Sequence, residues 1–324
     1  MLLTKCDQSE PVFICGEGRS GTKLLRDIIS KNSNLFALNT ETYFAVENKF
    51  RNSGIYNSAD YGQLVLRIFT TMLARNKKQA EQMFKTQIYE DQIQQVTKDF
   101  LTKFPEALSF FECFNACALY LSQQNHKQRW VEKTPYHIYE IEKLINIFPN
   151  AKFIVVYRDP RAVIASWLKK DLDKSILGLI WSWNKVTSRI LSMQKSALRS
   201  KIIFLSYETL IQEPETAVRA ICKFLNEEFQ SEMLDVAVVN SKFEDNSKKG
   251  FDLSTLERWK NILSPNQITL IEFLTQQNRK SLNYLDSHKK TSLFFVFLIA
   301  LPIEILSFFL KKCTKLIKWF NAKS

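Results

Sequence analysis

PVFICG at residues 11–16 is an unbroken apolar run closed by proline and glycine, and GTKLLRDIISKN then places Leu24, Leu25, Ile28 and Ile29 at helical spacing. The pair predicts a strand, a glycine-rich turn and a helix. KFIVVYR (152–158) and KIIFLSY (201–207) are continuous runs of β-branched and aromatic residues, as in strands buried on both faces. RWVEK (129–133) is a shorter strand candidate. Helical patterns occupy residues 137–148, 161–170, 175–195 and 214–225 between and after these runs. The alternation predicts an α/β fold of three layers, a central, mainly parallel sheet with helices on both faces. Residues 58–128 carry no clear strand and read as a helical insertion after the second strand, suited to covering an acceptor.

The pattern changes at the C-terminus. Leu293 to Leu310 reads LFFVFLIALPIEILSFFL, broken by Pro302 and Glu304, and its length of roughly 27 Å barely matches a bilayer core. Beyond it Leu306, Phe309, Leu310, Cys313, Leu316, Ile317 and Phe320 recur at helical spacing with Lys311, Lys312, Lys315 and Lys318 between them. Such a basic amphipathic helix suits the interface of an anionic membrane, with Trp319 and Phe320 anchoring its end. The expected organisation is therefore a catalytic domain over 1–286 and a membrane-association tail over 287–324, whether spanning or lying on the surface. The N-terminal residues show no apolar leader, so the expected location is the cytoplasmic face of a membrane.

Charge and composition then narrow the chemistry. The 324 residues carry a formal net charge of +12, half of it in the tail, and no aromatic–basic stripe marks the body, so nucleic acid is not the expected partner. Six cysteines follow no metal-ligand spacing, which predicts no metal site and suits a reducing compartment. In GEGRSGTKLL (16–25) the two outer glycines have the spacing of a nucleoside-triphosphate loop, but Thr22 precedes Lys23. A Mg²⁺-dependent triphosphate site needs Lys at the first of these positions and a hydroxyl at the second. Arg19 with the hydroxyls of Ser20 and Thr22 instead suits a phosphate handled without a metal, at the helix N-terminus and the carboxyl end of the strand.

RSGTKLL after one strand and RDPRAVIAS after another resemble the sulfotransferase family that uses 3'-phosphoadenosine 5'-phosphosulfate (PAPS) as donor. The resemblance covers about residues 11–43, 129–170 and 200–275 and implies a P-loop-like fold. It implies that Arg19, Ser20, Gly21, Thr22, Lys23 and Leu24 cradle the 5'-phosphosulfate. It further implies that Arg158 and Ser166, eight residues apart, hold the 3'-phosphate. SYETL makes Tyr207 a border of the nucleotide, and KKGFDLSTLERW points to Lys248, Lys249 and Arg258 without deciding among them.

The chain departs from the cytosolic phenol and steroid members, which have Lys at the position of Arg19 and a catalytic histidine; His126, His137 and His288 fit no such role. It resembles more closely the carbohydrate and tyrosylprotein branch. That resemblance makes Glu41 in NTETYF the general base, with Lys133 in VEKTP joining Arg19 in stabilising charge on the leaving nucleotide. The expected activity is sulfuryl transfer to a hydroxyl acceptor, a carbohydrate, glycolipid or other membrane-proximal molecule. The competing readings are a P-loop nucleotide kinase or NTPase, and a non-catalytic nucleotide-binding membrane protein.

Overall fold

The computed structural model describes residues 5–45, 58–73, 87–171, 174–236 and 250–287, with residues 302, 305 and 306 besides. Lys248, Lys249 and almost all of the apolar and basic tail lie outside the described residues. No helix among the described residues is long and apolar enough to cross a membrane.

Five strands, β1 (Val12–Gly16), β2 (Leu35–Ala37), β3 (Arg129–Lys133), β4 (Lys152–Tyr157) and β5 (Ile202–Ser206), form one sheet in the order β2-β3-β1-β4-β5. Every neighbouring pair is parallel. Parallel neighbours require crossovers, and the helices that make them bury both faces, which explains the unbroken apolar runs of β1 and β4. Successive side chains of β1 divide between the two sides, as the strand period of two requires: Phe13 and Cys15 join one core cluster, Val12 and Ile14 the other.

The first face is covered chiefly by α2 (Ser58–Leu73), α3 (Gln87–Lys103) and α4 (Phe110–Gln124) of the insertion and by α5 (Ile141–Ile147). Helix α4 is the deepest of these, with Phe110, Cys113, Phe114 and Cys117 buried beside Trp130, so this part of the insertion is a layer of the domain. The opposite face is covered by α1 (Thr22–Ile29), α8 (Tyr207–Gln212) and α9 (Pro214–Leu225). Helices α6 (Pro160–Lys170), α7 (Ile176–Gln194) and α10 (Pro265–Leu274) share a third cluster at the β4 end, followed by α11 (Gln276–Ser281).

The sequence pattern at 137–148 implies one helix, and here the structure differs. A 3-10 turn over Pro135–Tyr139 ends at Glu140, whose φ of −113° and ψ of 9° break the helical path before α5 begins. The sheet delivers β1, β3 and β4 to one edge with their carboxyl ends together, where Gly16 pairs in register with Val156 and Ile14 with Lys133. That edge is where an open parallel sheet binds its ligands.

Candidate functional site

The loop from Gly16 to Gly21 leaves β1 with three residues in the left-handed region: Gly16 (φ 138°), Arg19 (φ 71°) and Gly21 (φ 92°). Arginine adopts such a conformation at a cost of order 1 kcal/mol or more, and strain of this kind concentrates at ligand-binding loops. Gly21 is the N-cap of α1, and among the described residues no side chain caps that helix end, which leaves its first amide groups open to an anion. The Ser20 hydroxyl is buried without a hydrogen-bond partner among the described residues, a second sign that the loop is built for a ligand oxygen.

Two guanidinium groups meet above this loop. Arg19 Nε donates to Ser166 Oγ at 3.0 Å, and Arg158 Nη1 donates to the Arg19 carbonyl at 3.3 Å. Arg158 lies 3.9 Å from the centre of the Tyr207 ring, donates through Nη2 to the Thr255 carbonyl at 2.7 Å, and keeps Nε buried without a partner among the described residues. Tyr207 in turn donates to Thr255 Oγ1 at 3.0 Å. Partial enclosure, then the neighbouring Arg158 charge, lower the ordinary pKa of Arg19, although its side chain is exposed at the rim. Like charges brought together with an unpaired serine hydroxyl and an open helix N-terminus make a cradle for a multiply charged anion.

The second half of the site stands at the end of β3. Lys133 Nζ is paired with Glu41 Oε1, and Tyr43 donates to Glu41 Oε2 at 2.6 Å. Lys133 is buried, whereas the Glu41 side chain is one-third exposed, so the carboxylate is the member that solvent or a second ligand can reach. Tyr136 and Tyr43 stand 6.3 Å apart between ring centres and continue this surface outward.

The structure brings together Arg19, Ser20, Gly21, Thr22, Arg158, Ser166 and Tyr207, and separately Glu41 and Lys133. Leu24 is half-buried and Lys23 exposed on the first turn of α1. Arg258 is instead tied to its own segment, pairing with Asp252 at 2.6 Å and donating to Ser254, so its guanidinium is engaged locally.

Sequence reasoning missed Thr255, the shared partner of Arg158 and Tyr207, and two acids, Glu17 and Glu132. Each acid had a signal: Glu17 sits in a glycine loop suited to anions, and Glu132 follows Trp130 and Val131 inside the short strand RWVEK. Burial pushes the Glu17 carboxyl up to about 7, against the lowering effects of Ser182 Oγ at 3.3 Å, the Gly18 amide and Lys174. A carboxyl whose folded pKa lies above its unfolded value of 4.5 costs nothing at lower pH. Its penalty grows as pH rises through the interval up to about 7 and is constant above it. Glu17→Gln is therefore expected to gain about 1–3 kcal/mol over the native chain at pH 8 and almost nothing at pH 4. Denaturant unfolding at several pH values checks this; parallel stability profiles for the two proteins would refute it.

The family model described as "Sulfotransferase family" matches residues 11–231, more than half of the chain. Among curated proteins, protein-tyrosine sulfotransferase 2 of Gallus gallus is 30% identical over 99 residues, 29% of this chain and 27% of that protein. Protein-tyrosine sulfotransferase 1 of Danio rerio is 29% identical over 100 residues, 29% of this chain and 28% of that one. The chain thus spans under half the length of the curated relatives it matches. Among solved structures, the sulfotransferase domain from the curacin biosynthetic pathway is similar with a TM-score of 0.59 at 18% identity, over 86% of this chain and 99% of that one. The corresponding domain of the Synechococcus PCC 7002 olefin synthase has a TM-score of 0.55 at 18% identity, over 86% of this chain and 97% of that one. These two likenesses establish the fold.

Proposed function

The chain belongs to the sulfotransferase family, and from that premise we propose that it moves a sulfuryl group from PAPS to a hydroxyl acceptor without a metal. The observation that carries the reading is the cradle of Arg19, Ser20 and Arg158: two cations and a hydroxyl without a partner among the described residues, at a helix N-terminus that no described side chain caps. The loop also lacks the metal-binding hydroxyl that a kinase would need at Lys23.

Arg158, Ser166 and Tyr207 would hold the 3'-phosphate side, and Ser20, Thr22 and the first amides of α1 the 5' side. The donor supplies an activated sulfuryl group with a phosphate as its leaving group. Glu41 accepts the proton of the acceptor hydroxyl as that oxygen bonds to sulfur. Lys133 and Arg19 stabilise the negative charge left on the bridging oxygen as the sulfur–oxygen bond to the nucleotide breaks. The products are a sulfate ester and 3'-phosphoadenosine 5'-phosphate (PAP). The relatives' names put a tyrosine hydroxyl on a polypeptide first among acceptors, with a saccharide hydroxyl as the alternative that the tail composition suggests.

Calorimetric titration of the full chain with PAP, without metal, is expected to show micromolar binding, weakened about 10- to 100-fold by Arg158→Ala. A preference for ATP with Mg²⁺, or equal PAP affinity in the variant, would replace this reading with the kinase one.

A further inference from the structure

We propose that Glu132 is the positioning residue of the acceptor half of the site, holding the segments that carry Glu41, Lys133 and Tyr136 in one arrangement. The proposal rests on the sulfuryl-transfer reading above. Glu132 is completely buried, and an isolated carboxylate there would cost several kcal/mol unless several donors met it. They do. One oxygen, Oε1, accepts from the Thr42 amide at 3.0 Å, the Thr42 hydroxyl at 2.8 Å and the Thr134 hydroxyl at 2.6 Å. The other, Oε2, lies 2.8 Å from His137 Nδ1. Burial raises the carboxyl, yet His137 and these donors outweigh it and hold the group below its ordinary pKa.

The partners come from two stretches of chain, Thr42 from the segment after β2 and Thr134 and His137 from the continuation of β3, and each stretch also carries groups of the site. Thr42 lies between Glu41 and Tyr43; Thr134 follows Lys133; His137 follows Tyr136. The His137 ring is itself held edge-on against Phe44 at 5.1 Å and Phe13 at 6.2 Å. The last main-chain bond from the β2 segment to β3 is Leu38 N to the Val131 carbonyl at 2.8 Å. Beyond it, Glu132 ties the Glu41 segment to the strand that carries Lys133, alongside the Lys133–Glu41 pair and Tyr43 N on Thr134 Oγ1 at 3.4 Å. None of Glu132's hydrogen bonds reaches Arg19, Arg158, Ser166 or Tyr207. Its loss should therefore disturb turnover and leave the nucleotide half intact.

The test uses the full chain and three variants, Glu132→Gln, Thr42→Val and Thr42→Ser. It measures hydrogen exchange at the Thr42 amide, PAP affinity by calorimetry, and transfer of labelled sulfate from PAPS to a tyrosine-containing peptide. Glu132→Gln is expected to speed Thr42 exchange and to lower kcat, each at least about 10-fold, with the PAP Kd within about three-fold. Thr42→Val should lower kcat several-fold and Thr42→Ser should restore it, which keeps the test decisive if the Glu132 variant does not fold. Unchanged exchange and turnover in Glu132→Gln and Thr42→Val would overturn the proposal. So would a parallel loss of PAP affinity in both, since that marks general loosening. If the native chain transfers no sulfate to the peptide while Thr42 exchange still accelerates selectively, the positioning role stands and the choice of acceptor falls.

Discussion

Glu41→Gln and Lys133→Ala are each expected to lower kcat at least about 10²-fold while PAP affinity stays within a few-fold. The two side chains form one unit in the structure, Glu41 exposed to an incoming hydroxyl and Lys133 buried at the end of β3 behind it. Glutamine keeps the shape and one acceptor oxygen but cannot take up a proton, so the loss falls on the chemical step. Removing the lysine ammonium forfeits charge stabilisation that matters most when the leaving oxygen is most negative, which again is a loss in kcat. Because the groups are paired, the double variant should cost little more than the worse single one. Single-turnover transfer from labelled PAPS to the tyrosine peptide, with calorimetry alongside, measures both quantities. Turnover within two-fold of native in either variant would remove that residue from the mechanism.

Gly16→Ala is expected to destabilise the fold by about 4 kcal/mol or more and to abolish PAP binding. A β-carbon on Gly16 would stand 2.0 Å from the Val156 carbonyl oxygen, a backbone atom of the neighbouring strand that cannot swing aside, and the residue's φ of 138° is itself closed to alanine without strain. The loop can form only if β1 and β4 separate. Gly21→Ala meets the Tyr207 ring at 2.3 Å instead, so a side chain rather than the ladder must yield. The contrast predicts a folded Gly21 variant with weakened nucleotide binding and a Gly16 variant that is largely unfolded. Circular dichroism and denaturant unfolding distinguish them, and a Gly16 variant with native stability would show that the loop geometry is wrong.

The sheet was legible where burial on two faces forced continuous apolar runs: PVFICG covers β1 and KFIVVY spans β4. Strand β2 was not, because three residues, Leu35–Ala37, leave no periodicity to detect. The position of the Gly16–Gly21 loop at the end of β1 could be read because local spacing fixes which backbone groups face one edge; Ser166, expected beside Arg158, accepts from Arg19. Thr255 could not be read, since its contact with Arg158 joins residues 97 positions apart. The break at Glu140 was hidden for a similar reason. The apolar spacing of 137–148 suits a helix, while the segment's first turn is committed to β3 through His137 and Glu132. Arg258, expected from its residue type to face phosphate, pairs in the structure with Asp252 six residues earlier.

The strand order also governs how the molecule comes into being. Central strand β1 is made first, yet its two neighbours are β3 and β4, whose nearest register partners for Val12 are Val131 and Lys152. A growing chain therefore has no partner for one side of PVFICG until β3 has been made, and none for the other until β4 has been made. Contacts of such long sequence separation fold slowly and expose aggregation-prone strands meanwhile. Nascent chains halted before β4 have no way to complete the central strand, so the loop from Gly16 to Gly21, whose first residue pairs with Val156, is expected to form late in synthesis.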